Sequence, residues 1–394
     1  MNNSDLTKLI DKFLPEVISF RRRMHEEPDL SGREQPTCAR IAEMLDARGI
    51  GYERLLDGTA LCARIGRGAA RAVAIRADID ALPVSEATGL SFASRRPGVM
   101  HACGHDIHAA CALGAAFALK EMERDLEGGV TILFQPAEET TGGAERMIGA
   151  GVLECPRVTH VIGLHVDPSL EAGRASFMYG KMHAASDEFT IVFTGRGCHG
   201  AHPDEGCDAI AAAALFVTAV QNVVSRALSP LEPGVVTIGS IHGGTKGNII
   251  ADSVEVTGIM RSLDEKTRKL LRRRVEETAV HTAASLGARA GFILRPSYTA
   301  LINDDETVSL LVSAARGAIG DEKVVIKKKP TMGTEDFAYF AAARPSCFYE
   351  LGCGFSERDE NPPLHSAGFE ADEKCIKTGI LLQTSGALAL LKNN

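Results

Sequence analysis

Short apolar runs alternate with stretches of helical periodicity through the first half of the chain. Runs at 72–77, 130–134 and 160–164 predict strands, and helix-like segments at 107–122 and near Ala144 separate them. Strands and helices alternating in this way argue for a mostly parallel sheet covered by helices on both faces, an α/β architecture. At the start of the chain Leu6, Leu9, Ile10, Phe13, Leu14, Val17 and Phe20 share one helical face. Pro15 lies inside that pattern and predicts a boundary or a kink.

Past Gly180 the pattern changes. A strand at 188–193, a helix at 207–226, strands at 235–241 and 254–260, a helix at 265–285 and a strand at 290–294 follow in turn. The order β-α-β-β-α-β is the ferredoxin-like split motif, an α+β unit that closes on itself. Residues 185–300 are therefore expected to form a domain inserted into a discontinuous one made of 1–184 and 301–394. The last stretch adds a strand at 347–351 and a closing helix from Lys374, with Ile380, Leu381 and Leu390 on its apolar side. No repeat of solenoid spacing and no low-complexity tract interrupts this order.

Composition narrows the classes. At 394 residues, with 45% hydrophobic and 24% charged positions, the chain is long and apolar enough for a folded core, which excludes a disordered or collagen-like protein. The 43 Lys and Arg against 51 Asp and Glu give a net charge of −8 without a long basic block, so nucleic acid is not an expected partner. The densest basic stretch, 266–274, reads as a solvated helix face. Ten cysteines without a repeated spacing fit a reducing compartment. With a polar 1–8 segment and no run of ~18 apolar residues, neither a signal peptide nor a membrane partner is expected, and the location predicted is cytoplasmic.

Ligands of an open parallel sheet bind beyond the carboxyl ends of its strands. The run 72–77 leads into Asp78 and Asp80, 130–134 into Gln135-Pro136-Ala137-Glu138-Glu139, and 160–164 ends at His165. The loop before the 107–122 helix adds Cys103 and His105, two apart around Gly104. A lone strand-end histidine is usually a satisfied polar group and a lone buried cysteine is usually packing. Thiol, imidazole and carboxylates gathered on one rim suit a divalent transition metal. The chemical rival is a Cys103–His105 nucleophile pair, which leaves Glu138, Glu139 and His165 idle. The segment 239–246 is not a phosphate loop, because Thr245 precedes Lys246 and no helix pattern follows.

The motifs Arg22-Arg23-Met24-His25-Glu26-Glu27-Pro28, Arg76-Ala77-Asp78-Ile79-Asp80-Ala81-Leu82-Pro83, Met100-His101-Ala102-Cys103-Gly104-His105-Asp106 and Phe134-Gln135-Pro136-Ala137-Glu138-Glu139 resemble those of metal-dependent amidohydrolases. That family includes hippurate hydrolase and the plant indole-acetyl-amino-acid hydrolases. Gly163-Leu164-His165, the glycine-flanked stretch 195–203, Gly333-Thr334-Glu335-Asp336-Phe337 and Pro363-Leu364-His365 extend the resemblance over nearly the whole chain. It implies a catalytic domain holding two divalent metal ions per subunit, zinc or manganese before cobalt or nickel. It also implies that the inserted domain serves as lid and dimerisation domain of a homodimer.

Carried onto this sequence, the resemblance makes Cys103, His105, Glu139, His165 and His365 the metal ligands and Glu138 the general base. Neighbouring side chains of an extended segment point opposite ways, so Glu138 and Glu139 would not both ligate unless the backbone turns. Asp80, with Asp78 sharing the task, resembles the acid that orients a ligand. His199, Asn248 and Arg261 resemble the substrate-facing set, His199 reaching the neighbouring subunit's site. The sequence departs from the family's pattern at His202, where an apolar residue is expected, and at Thr334, where serine is common. The implied reaction is hydrolysis of a small N-acyl amino acid. Two alternatives remain open: a Cys103-dependent amide hydrolase, and a metal-loaded binding protein without turnover.

Overall fold

The computed structural model describes residues 3–66 and 70–393. It divides into two compact units, one of Met1–Gly180, Ile302–Lys329 and Tyr339–Asn394, the other of Lys181–Leu301 with Pro330–Ala338.

The first unit is built on an eight-stranded sheet. Its strands are β1 (Gly51–Leu55), β2 (Ala60–Ile65), β3 (Arg71–Asp78), β4 (Gly129–Gln135), β5 (Arg157–Glu171), β6 (Ala175–Phe177), β7 (Val324–Ile326) and β8 (Ser346–Gly354), in the order β1-β2-β4-β3-β5-β8-β6-β7. The four central strands β4, β3, β5 and β8 run parallel, and β1 and β2 extend the sheet antiparallel at one edge. Apart from Arg71, β3 and β4 are buried along their whole length, which is why they read as continuous apolar runs.

Helices α1 (Asn3–Glu26), α2 (Gln35–Asp46), α3 (His105–Glu121), α4 (Asp305–Ile319) and α5 (Lys374–Lys392) enclose this sheet's core. Helix α3 is buried on every side from His105 to Leu119, as a helix without a polar face must be. It admits α5 closely at Gly114, where an added Cβ would lie 2.4 Å from Ile380 Cδ1. Helix α1 passes through Pro15 without ending. An interior proline costs about 3 kcal/mol. The buried face of Leu6, Ile10, Phe13, Val17, Phe20 and Met24, at about 1.5–3 kcal/mol per side chain, outweighs it.

Two of the boundaries that differ from those expected concern chemistry. Helix α3 begins at His105, so that histidine sits in a first helical turn and not in the preceding loop. Strand β5 continues to Glu171, so His165 lies inside a strand rather than at its end. The register Arg76↔Gly163 puts His165 level with Asp78, where β3 stops and β5 runs on.

The second unit has a four-stranded antiparallel sheet ordered Gly234–Gly243, Ser253–Ser262, Ala185–Thr194, Arg289–Pro296. In chain order this is 2-3-1-4, the strand arrangement of the split motif. Helices Ala209–Ala219 and Glu265–Ser285 pack on it around Phe189, Ile191, Phe193, Phe216 and Val275. A π-helical turn, Val223–Ala227, replaces the expected end of the first helix.

The stretch Ala209–Ala227 is long and apolar enough, by length and composition, to cross a membrane, contrary to the expectation of no such run. Gln221, Asn222, Ser225 and Arg226 interrupt it, and Ala209, Ala212, Ala213 and Phe216 lie in the core of the unit. The basic face at 266–274 is also not uniformly solvated. Arg268 is buried and donates to Asp187 at 2.8 and 3.0 Å, and Arg272 donates to the same carboxylate at 2.6 and 2.8 Å.

Candidate metal centre

The first unit brings Cys103, His105, Glu138, Glu139, His165 and His365 to the carboxyl end of the central strands. Gly104, at φ +82, turns the chain into α3 between Cys103 and His105. A Cβ there would lie 2.5 Å from Val166 Cγ2, so the turn rests directly on β5.

The Glu138-Glu139 pair follows a backbone turn at Ala137, whose φ of +57 is unusual for a residue with a side chain. Glu34 holds that turn, accepting from Ala137 N–H at 2.9 Å and from Gly32 N–H at 2.8 Å. Burial pushes its carboxyl up to about 7. His365 also has positive φ, +63, and its N–H donates to the carbonyl of Ala102 at 2.8 Å, tying it to the Cys103 loop.

Cys103 Sγ lies 3.3 Å from His165 Nε2 and 3.2 Å from His365 Nε2, while His365 Nε2 is 3.2 Å from Glu139 Oε1. Donor atoms of Cys103, His105 and His165 lie within 4.8 Å of one another, and so do those of Cys103, Glu139 and His365. Cys103 belongs to both groups. Those of His105, Glu138 and Glu139 form a third group of the same span.

Buried hydrogen bonds fix which ring nitrogens face this space. His105 Nδ1 donates to the Asp80 carbonyl at 2.9 Å and approaches its carboxylate at 3.2 Å, which leaves Nε2 buried and without a hydrogen bond. His165 Nδ1 donates to the Val166 carbonyl at 2.8 Å, turning Nε2 toward Cys103. Asp80 also accepts from Ser31 Oγ at 2.7 Å and from Glu139 N–H at 3.1 Å, so one carboxylate orients His105 and fixes the Glu139 backbone.

The electrostatics follow from burial and from these contacts. Burial lowers His165 to about 3, keeping it neutral, and raises the Cys103 thiol well above its ordinary value. Burial also pushes Glu139 up, but the hydrogen bond and charge of His365, with His105 beside it, bring it to about 2. Asp78 is held well below the carboxylate range: burial opposes this, and Arg76 at 2.6 Å with the two histidines outweighs it.

In the second unit, His199 lies in a two-stranded ribbon, Cys198–His199 against Ile249–Ile250, and Asn248 immediately precedes the second of these strands. Gly200 N–H donates to the Asn248 carbonyl at 2.8 Å. His199 is exposed, and its Nδ1 accepts from Ala201 N–H at 3.1 Å. The His202 ring lies 5.7 Å from that of His199. Arg261 is half-buried in strand Ser253–Ser262, opposite Ser186 and Val235.

Sequence reasoning passed over Glu34 and His108. His108 stands three residues after His105 on α3, a spacing that puts both on one helical face. It donates to Asp78 at 2.5 Å.

Nitrogen, sulfur and oxygen donors gathered at the carboxyl edge of a parallel sheet suit a borderline-soft divalent cation. The comparisons with known proteins agree. Residues 74–384 match the model of peptidase family M20/M25/M40. An N-acetyl-L-cysteine deacetylase of Bacillus subtilis is 36% identical over 380 residues, 96% of this chain and 89% of that protein. An N-acyl-L-amino acid amidohydrolase of Geobacillus stearothermophilus is 40% identical over 308 residues, 78% of this chain and 83% of that protein. The crystal structure of a Bacillus subtilis dinuclear metal binding peptidase superposes with a TM-score of 0.85 at 32% identity, covering 98% of this chain and 100% of that one. The chain belongs to peptidase family M20/M25/M40 and is a hydrolase acting on amide bonds.

Proposed function

We propose that the protein hydrolyses small N-acyl amino acids to a carboxylic acid and a free amino acid, using two divalent metal ions held by Cys103, His105, Glu139, His165 and His365. The observation that carries this reading is the pair of donor groups sharing Cys103, with the buried Nε2 of His105 left without a hydrogen bond. A buried polar atom without a partner is costly, and a cation supplies one. The similarity to the Bacillus subtilis protein, a dinuclear metal binding peptidase, supports the stoichiometry. Zinc suits the thiolate and imidazoles, and manganese, cobalt or nickel suit the carboxylates.

When bound, the metals lower the pKa of a water and polarise the scissile carbonyl. Glu138 takes a proton from the attacking water and returns it to the leaving nitrogen. Asp80 keeps His105 oriented, with Asp78 behind it. His199 donates to the developing oxyanion, and Arg261 and Asn248 hold the amino-acid carboxylate, the guanidinium as a planar fork. The second unit serves as the lid and pairs two chains as a homodimer in which His199 serves the partner's site.

A panel of N-acyl amino acids incubated with metal-loaded protein, with released amine as readout, tests the reaction. Release that ends on chelation and returns with added metal supports it. Turnover that survives chelation and ends with a thiol alkylator would make Cys103 the nucleophile. Tight metal with no amine released from any member would make the protein a binder.

A further inference from the structure

Behind the donor atoms, one chain of hydrogen bonds runs through Gln135, Arg76 and His108, to which the proposed reaction gives no part. Arg76 lies wholly buried between Asp78 and Gln135, its Nη1 2.6 Å from Asp78 Oδ2 and its Nε 2.8 Å from Gln135 Oε1. With that guanidinium beside it, Asp78 is a carboxylate and only accepts. Its other oxygen, Oδ1, is 2.5 Å from His108 Nδ1, so the proton of the His108 ring sits on Nδ1. A neutral imidazole protonated there has an acceptor at Nε2, and the Val166 N–H donates to it at 2.9 Å. The carbonyl of the same residue receives His165 Nδ1–H at 2.8 Å.

The topology explains why imidazoles do this. The ladder between β3 and β5 ends at the pair Arg76↔Gly163, while β5 continues. Backbone groups of β5 beyond that pair still need partners, and those of Val166 find theirs in two histidine rings. The partner for its N–H must accept while donating to a buried carboxylate, which neither lysine nor arginine can do. Asp78, His105 and His108 also bring donor atoms within 4.8 Å of one another. Both nitrogens of His108 are already engaged, so it has no lone pair left for a cation.

We infer that His108 is a positioning residue: by holding Val166 from the Asp78 side, it fixes the tautomer of His165 and aims the His165 Nε2 at the metal centre. Val166 also packs against the Gly104 turn, so the same contact steadies the segment that carries Cys103 and His105. The inference rests on the reading of His165 as a metal ligand. Its first consequence, the tautomer, is independent of that reading.

The test uses the full chain with histidine nitrogens labelled, as wild type, His108→Leu and His108→Gln. Nitrogen spectra of the metal-free proteins report the tautomers, zinc titration against a competing chelator reports affinity, and melting of the metal-free proteins reports folding. In the wild type both His108 and His165 are expected protonated at Nδ1 alone, and the opposite tautomer in either ring overturns the inference whatever the variants do. His108→Leu is expected to lose the single His165 tautomer and to bind zinc ~10–100-fold more weakly. His108→Gln, whose amide donates to Asp78 and accepts from Val166, is expected to recover most of both. A leucine variant that melts like the wild type yet keeps its tautomer and affinity overturns the inference. Where the leucine variant does not fold, a glutamine variant that folds without the wild-type tautomer does the same. Failure of the metal reading looks different: wild-type protein takes up no zinc, or His165→Ala binds it as the wild type does.

Discussion

His105 and Asp78 are closed off from solvent, and each is held by two groups: His105 by the carbonyl and carboxylate of Asp80, Asp78 by the side chains of Arg76 and His108. His199 is exposed, on a ribbon only two residues long on each strand, and its ring is steadied by one backbone N–H. Under the proposed function, the contrast separates two tasks. Groups that present lone pairs to a cation must be fixed before it arrives, because a misplaced donor loses affinity directly. A group that meets a substrate of varying shape gains from freedom to adjust, at some cost in ordering when it binds. Cys103 sharpens the point. Burial raises its thiol far above the ordinary value, which disfavours a free thiolate and favours one paired with a cation.

The largest expected effect lies within the buried region. Glu138→Gln should lower kcat by ~10²–10⁴-fold while metal content by elemental analysis stays near that of the wild type, since only proton transfer is removed. Glu139→Gln should lose metal instead, and the reverse pattern would exchange the two roles. In the exposed region, His199→Ala should reduce kcat by roughly 10²–10³-fold, the value of one positioned oxyanion donor, with metal content and melting temperature unchanged. A fall in metal content would break the division of tasks drawn above. Mixing that variant with Glu138→Gln under conditions of subunit exchange should restore part of the activity if His199 serves the partner's site.

Two smaller effects concern how each region is packed. Gly114→Ala puts a methyl where Ile380 Cδ1 lies 2.4 Å away, and should destabilise the first unit by about 1–3 kcal/mol in denaturant unfolding. In the second unit, burial raises the Asp187 carboxyl, but hydrogen bonds from Arg272 and Arg268 outweigh it and bring it below its ordinary 3.8. A carboxylate depressed in the folded state contributes stability above its unfolded value, and that contribution is lost as the pH falls through the folded one. Asp187→Asn should therefore flatten the acid limb of stability below about pH 4 and reduce stability at neutral pH. An unaltered acid limb would remove the ion pair from the account.

Much of this organisation was legible in order along the chain. The apolar runs of β3 and β4 announce strands covered on both faces, and the change of rhythm past Gly180 announces the split motif. The donor-rich ends of β3 and β4 announce chemistry at one rim. What the sequence left open at Glu138 and Glu139, whether the backbone turns, depends on the left-handed Ala137, held by a carboxylate 103 residues away in the chain. No local pattern encodes such a turn, because alanine by itself disfavours it.

The same reason separates the rest. Period and composition determine which faces are apolar, and so which elements form and how they layer, because burying those faces is the dominant favourable term. They do not determine which polar group meets which across the fold. His165 reads as a strand end until β5 is seen to outrun β3. Arg268 reads as one more basic residue of a solvated helix until Asp187 is seen beneath it, and His108 reads as a helix histidine until its ring is found between Asp78 and Val166. Each partnership joins segments far apart in sequence, and hydrogen-bond geometry, unlike hydrophobic burial, is decided by position within a fraction of an ångström. The tertiary structure alone supplies that position.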